Sequence, residues 1–236
     1  MIIATLNIDW AKSQNKKTKI ENILNAINAD ILIITEGIDL NLPIYSFIYK
    51  THPIPIDKFF EGVEYSKLVK NNLPYRVSIY STYECTRSFA VSDSKTSICK
   101  EFNTAIGPLT IYATIIGTLN KRQPYAGNEI QNCINDCLAI SKQTEQFCLA
   151  GDLNTSFLEN EETFEIPGIK SRMRLLKLCE DCKLDLTTKD IKLTIDHILL
   201  SKSLQEKFLF NAQPFVEKKV LSDHQGILVD IRKKIS

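Results

Sequence analysis

Apolar positions along the chain repeat with two different periods. Ile2 to Ile8, Ile31 to Thr35, Arg76 to Ser81, Leu109 to Ile116, Phe147 to Ala150, Leu193 to Leu200 and Gly226 to Ile231 are short runs rich in Ile, Val, Thr and Tyr, and they predict strands. Helical spacing appears in Lys17 to Asn28, through Ile20, Ile23, Leu24 and Ile27. It recurs in Asn128 to Ile140, through Ile130, Cys133, Ile134, Cys137 and Leu138, and in Ser171 to Cys182, through Leu175, Leu176, Cys179 and Cys182. Three polar or proline-bearing stretches predict loops: His52 to Lys58, Gly117 to Gly127 and Asn154 to Gly168. Strands that alternate with a few helices, with consecutive strands in the middle, predict a layered α/β sandwich with mixed sheets. An unbroken run such as Ile31-Leu32-Ile33-Ile34 predicts a strand covered on both faces.

Composition narrows the picture. The 236 residues sit at the upper end of one domain, and no linker or repeat divides them, so 1–236 reads as a single domain. Lys and Arg number 29 against 28 Asp and Glu, a net charge of +1 that excludes a polycationic nucleic-acid binder but not a local basic groove. Seven cysteines lack a framework spacing, the N-terminus lacks a secretory leader pattern, and no apolar run reaches the roughly 20 residues of a membrane helix. A cytoplasmic protein with free thiols is expected. Histidine chemistry is confined to His52, His197 and His224, two of which directly follow an aspartate.

The most informative pattern is the set of polar residues that end the apolar strands. Ile2 to Leu6 runs into Asn7, Ile31 to Thr35 into Glu36, and Phe147 to Gly151 into Asp152 and Asn154. Ser222-Asp223-His224 opens the last strand. Singly, each is an ordinary turn former or cap. Together they can converge on one rim of a sheet, where α/β proteins commonly bind ligands. An oxygen-rich set of Glu36, Asp152, Asp223, Asn7 and Asn154 suits Mg²⁺ or Mn²⁺. With an Asp-His pair beside it, such a pocket has what phosphoester hydrolysis needs.

These residues resemble the endonuclease/exonuclease/phosphatase superfamily of metal-dependent phosphoesterases. The resemblance spans nearly the whole chain in order: Thr5-Leu6-Asn7-Ile8, Asp30 to Glu36, Gly151-Asp152-Leu153-Asn154, Ile195-Asp196-His197-Ile198 and Ser222-Asp223-His224. It implies a four-layer sandwich of two packed mixed β-sheets flanked by helices. It also implies roles: Asn7, Glu36 and Asp223 bind the metal, Asp152 activates or orients water, and Asn154 binds the scissile phosphate. His224 stabilises the transition state, with Asp196 orienting its imidazole. The central strand departs from the family pattern, because Leu109 to Gly117 has no His; Thr114 or Tyr112 are the candidates for that contact.

Other features read differently. Asp196 and His197 point to opposite faces of a strand, so His197 is expected to be a packing or surface residue. His52, in a proline-rich loop, is expected in solvent. Lys121, Arg122 and Tyr125 are candidates for phosphate binding or base stacking, against a plain solvated loop. Cys179 and Cys182 read as part of a helix rather than a zinc site, and the basic stretch Lys12 to Lys19 as a solvated loop and helix start. The expected function is metal-dependent phosphodiester hydrolysis on nucleic acid. The alternatives are a small phosphoester substrate (inositol phosphate, nucleotide or lipid headgroup) and a non-catalytic binding protein on the same scaffold. Neither a membrane nor a protein partner is implied.

Overall fold

The computed structural model describes residues 1–53, 59–60, 63–64, 75–118, 125–158 and 169–234. Pro55, Lys121, Arg122, Pro124, the acidic 159–162 stretch and Pro167 lie outside them, as does the side chain of Tyr125. Among the described residues the strands are β1 (Ile2–Asn7), β2 (Ile31–Thr35), β3 (Phe47–Lys50), β4 (Phe59–Phe60), β5 (Val63–Glu64), β6 (Val77–Ser81) and β7 (Cys85–Phe89). They continue with β8 (Ser97–Thr104), β9 (Gly107–Ile115), β10 (Phe147–Asp152), β11 (Leu184–Leu186), β12 (Asp196–Ser201), β13 (Phe208–Val216) and β14 (Gly226–Lys233). The helices are α1 (Gln14–Ile27), α2 (Tyr125–Ile140) and α3 (Ile169–Asp181). None is long and apolar enough to cross a membrane.

Two six-stranded sheets form, in the orders β13-β14-β1-β2-β6-β3 and β11-β12-β10-β9-β8-β7. Each has one parallel pair near its middle, β1 with β2 and β9 with β10, so both pairs end on the same rim. Alternation divides the side chains of every central strand between two cores. Ile3, Ile33, Val77, Ile115, Ala150 and Ile198 meet between the sheets. Ala4, Leu6, Leu32 and Ile34 face Ile20 and Leu24 of α1 on the outside of the first sheet. Tyr112, Leu149 and Leu199 face Ile130 and Cys133 of α2 and Leu175 and Leu178 of α3 outside the second. The result is the expected four layers. Leu176, expected on the packed face of α3, is instead 41% exposed, and Leu178 fills the core position.

The rim is built on strained backbone. Asp9, Trp10 and Ala11 after β1, Glu36 after β2 and Asn154 after β10 all have positive φ, between 37° and 56°. Non-glycine residues reach that region only where surrounding contacts hold them, and such positions concentrate at functional sites.

Candidate active site

Asn7 ends β1, Glu36 follows β2 and Asp152 ends β10. β12 runs antiparallel to β10 and pairs Asp196 directly with Asp152, so its first residue lies on the same rim. β14 runs antiparallel to β1, which brings His224, just before it, to that rim too. The parity that sends Ala150 and Ile198 between the sheets sends Asp152 and Asp196 inward as well. Both aspartates are buried at 1% exposure or less.

The contacts knit these residues together. Asn7 Nδ2 donates to Asp152 Oδ2 at 3.0 Å, while its Oδ1 accepts the Asp9 amide at 2.9 Å. Asp152 Oδ1 accepts the Asn154 amide at 2.9 Å, and Asn154 Nδ2 donates to the Ile116 carbonyl at 2.8 Å. His224 Nδ1 lies 2.6 Å from Asp196 Oδ2, and its amide donates to Ser222 Oγ at 3.0 Å. Asp223 Oδ1 is 3.9 Å from His224 Nε2, on a side chain 67% exposed.

Electrostatics follow from burying acids together. Burial pushes Asp152 up to about 7, reinforced by Asp196 and Glu36 and opposed by His224. Burial likewise raises Glu36, with Arg76 and His224 acting against it. Burial alone would depress the His224 imidazole, but Asp196 and Asp152 hold it up at about 10. At neutral pH His224 is therefore an imidazolium that donates from both nitrogens.

This donor set fits a hard divalent cation. Asn7 contacts Asp152, which pairs across the strands with Asp196, and Glu36 and Asp223 lie close enough to act on this group electrostatically. Asp196 Oδ1 is buried with no hydrogen-bond partner among the described residues. The nearest ligating atoms of Asp152, Asp196 and His224 lie within 4.8 Å of one another, a spacing that an ion could bridge. An imidazolium has no lone pair to offer, so the carboxylate and amide oxygens are the better ligands here.

Two expectations can be placed directly. His197 is a packing residue: it is 1% exposed, its Nε2 lies 2.9 Å from the Thr155 carbonyl and its Nδ1 2.9 Å from Thr188 Oγ1, and its ring meets Phe157 edge-on. His52 is exposed, with Nδ1 3.0 Å from Ser94 Oγ. Neither candidate for the central-strand contact reaches the rim pocket. Tyr112 donates to Asp136 of α2 at 2.9 Å, and Thr114 Oγ1 meets Ser97 Oγ and the Thr96 carbonyl. Both sit on the outer-face parity, and Ile115 holds the inward place.

Sequence reading missed three further residues. Asp9 adds negative charge beside Glu36 and pairs with Lys12 at 2.8 Å and Lys16 at 3.6 Å. Arg76, 5% exposed, accepts the Glu36 amide on its carbonyl at 2.8 Å and pairs with buried Glu129 of α2 at 3.3 Å. Glu129 in turn accepts the Thr118 amide at 2.8 Å and its hydroxyl at 2.6 Å. Asp9, two residues beyond the strand-end Asn7, was the one with a local signal.

No protein-family model and no curated protein matches the sequence. Solved structures do match over nearly its whole length. A 3′-5′ exonuclease from Neisseria meningitidis superposes with a TM-score of 0.68 at 14% identity, covering 98% of this chain and 100% of the other. An AP endonuclease from Archaeoglobus fulgidus gives 0.67 at 14%, covering 98% of both chains. An endonuclease/exonuclease/phosphatase from Beutenbergia cavernae gives 0.67 at 14%, covering 99% of this chain and 71% of that one. At this identity the likeness is one of fold.

Proposed function

We propose that this chain, which has the fold of the endonuclease/exonuclease/phosphatase superfamily, is a divalent-metal-dependent phosphoesterase that hydrolyses phosphodiester bonds in nucleic acid. The observation that carries the reading is the convergence of Asp152, Asp196 and His224, drawn from three separate strand ends, on donors within 4.8 Å of one another. Glu36, Asn7 and Asp223 would hold Mg²⁺ or Mn²⁺, which would supply Lewis-acid polarisation of the phosphoryl oxygen. Asp152 orients the attacking water and takes its proton, the role its raised pKa of about 7 suits. Asn7 Nδ2 and the Asn154 amide fix the Asp152 carboxylate in place. Asn154 binds the scissile phosphate. His224, held protonated and oriented by Asp196, donates to the phosphoryl oxygen where negative charge develops.

The test is hydrolysis of a plasmid, an oligonucleotide and bis-nitrophenyl phosphate, with and without Mn²⁺. Activity is expected only with metal, and Glu36→Gln and His224→Ala variants that remain folded should lose about 10²- to 10⁴-fold. Metal-independent turnover, or full activity in either variant, would overturn the assignment. The net charge of +1 favours a second reading, a small phosphoester substrate. Salt separates the two, because a polynucleotide held through several phosphates loses affinity steeply as ionic strength rises.

A further inference from the structure

The turn after β1 is held in a shape that its residues resist. Asp9, Trp10 and Ala11 follow one another with φ of 44°, 56° and 37°. Side chains enter that left-handed region at a cost, usually one residue at a time, and glycine is the residue that suits it. Three amides hold the turn. That of Asp9 donates to Asn7 Oδ1 at 2.9 Å, that of Trp10 to the Glu36 carbonyl at 2.9 Å and that of Ala11 to the Ile8 carbonyl at 3.0 Å. Ile8 and Ala11 anchor it in the outer core of the first sheet. None of these contacts uses the Trp10 side chain.

Trp10 is the chain's single tryptophan. Its side chain is half-buried, yet it joins none of the three apolar cores and has no ring, cation or hydrogen-bond partner among the described residues. Its neighbours in the turn lie within electrostatic reach of the catalytic group. Asp9 adds to the negative charge felt by Glu36, and Lys12, which pairs with Asp9 at 2.8 Å, also feels Asp223 and Glu36. The indole thus springs from the rim, one backbone hydrogen bond from Glu36, at a position that glycine would occupy without strain. A ring kept there, and used by none of the three cores, marks a contact made by what binds at the site. A broad π-face accepts any base by stacking, and a base is the flat group that nucleic acid carries beside its phosphate.

We infer that Trp10 is a substrate-contact residue, whose indole stacks on the nucleobase adjoining the scissile phosphate. The inference deepens the phosphodiesterase reading and rests on it for its purpose, but it is measured as binding, without turnover. Being single, Trp10 reports on itself through its fluorescence. An unlabelled single-stranded hexanucleotide with phosphorothioate linkages, added in Mg²⁺, should quench its emission, and an abasic chain with the same linkages should not. Affinities come from anisotropy with fluorescein-labelled forms of the two chains. Trp10→Gly, which keeps the left-handed backbone, should bind the hexanucleotide on the order of tenfold more weakly and the abasic chain as the unmodified protein does. Trp10→Phe should restore most of the loss. Urea denaturation checks the backbone argument: Trp10→Gly should unfold at a higher midpoint than Trp10→Ala, because glycine alone relieves the strain. The reverse order removes the ground of the inference. Emission that ignores a saturating hexanucleotide, or a Trp10→Gly variant of unchanged affinity, overturns the contact. Equal weakening toward both chains overturns it too, since that is the mark of a ring that only shapes the site. Hydrolysis of bis-nitrophenyl phosphate by the unmodified protein separates the two ideas. Base-dependent quenching beside an inactive protein keeps the contact and removes the enzyme, whereas silent emission beside an active one does the reverse.

Discussion

A buried aspartate and a charged histidine in one pocket make stability depend on pH with an uncommon sign. Asp152 titrates at about 7 in the folded chain and near 3.9 when unfolded, so between those values the native state holds the extra proton. His224 titrates at about 10 when folded and near 6.5 unfolded, so again the native state holds the extra proton between them. Where the native state binds more protons, stability falls as pH rises. The metal-free protein should therefore have a higher urea midpoint at pH 5.5 than at pH 8.5, and Asp152→Asn should flatten the lower part of that window. A midpoint that rises with pH would contradict it. Asp196 gives a second prediction. Its 2.6 Å contact is a leading reason His224 stays charged against burial, so Asp196→Asn lowers the imidazole pKa. The alkaline limb of the kcat profile should move to lower pH and kcat should fall about 10- to 100-fold. A profile of unchanged shape would remove Asp196 from the role proposed for it.

At the level of elements, the approach of β9 to β10 depends on the absence of a side chain. Gly151 has φ of 133°, and a Cβ there would stand 2.0 Å from the Thr114 carbonyl oxygen. Gly107 has φ of 104°, but its nearest contact would be an ordinary 3.6 Å from the Gln146 side chain. Gly151→Ala should cost about 3 kcal/mol or more, and Gly107→Ala nearer about 1 kcal/mol from backbone strain alone. Urea denaturation of the two variants side by side checks the order. The same elements explain what could be read from sequence. β1, β2, β6, β9, β10, β12 and β14 were legible because interior strands covered on both faces are near-continuous apolar runs. β3, β7 and β13 were not, because they are sheet edges, where exposed positions carry Lys50, Arg87 and Gln213 and a Pro stands at 214, and β11, also an edge, is only three residues long. β8, next to an edge, separates buried Cys99 and Phe102 by Lys100 and Glu101 and continues into Asn103, and so carried no run. The strand-end residues were visible because each interrupts such a run. Which face the central strand turns to the site was not, since Tyr112 and Thr114 differ from Ile115 only in parity and the register comes from pairing with β10.

At the scale of the whole molecule, one ion pair ties the rim of the first sheet to the helical layer that covers the second. Arg76 and Glu129 are 53 residues apart in sequence, and neither stands in a local motif that marks it. Their side chains are only 6% and 8% exposed, so each is the other's compensation in a region of low dielectric. Glu129 also fastens Thr118, at the end of the described part of the loop after β9, so the pair fixes Glu36 and that loop in one frame. Removing one partner leaves a buried charge. Arg76→Met alone should therefore cost about 3–5 kcal/mol. Adding Glu129→Gln to it removes the stranded carboxylate while keeping an acceptor for Thr118, and should recover a substantial part of the loss. Urea denaturation over the four members of the cycle measures the coupling. If the pair also sets the position of Glu36, half-maximal activation should need more Mn²⁺ in every member lacking Arg76, including the double variant whose stability has recovered. A double variant as unstable as Arg76→Met, or a metal requirement that tracks stability, would leave Arg76 a structural residue with no hold on the site.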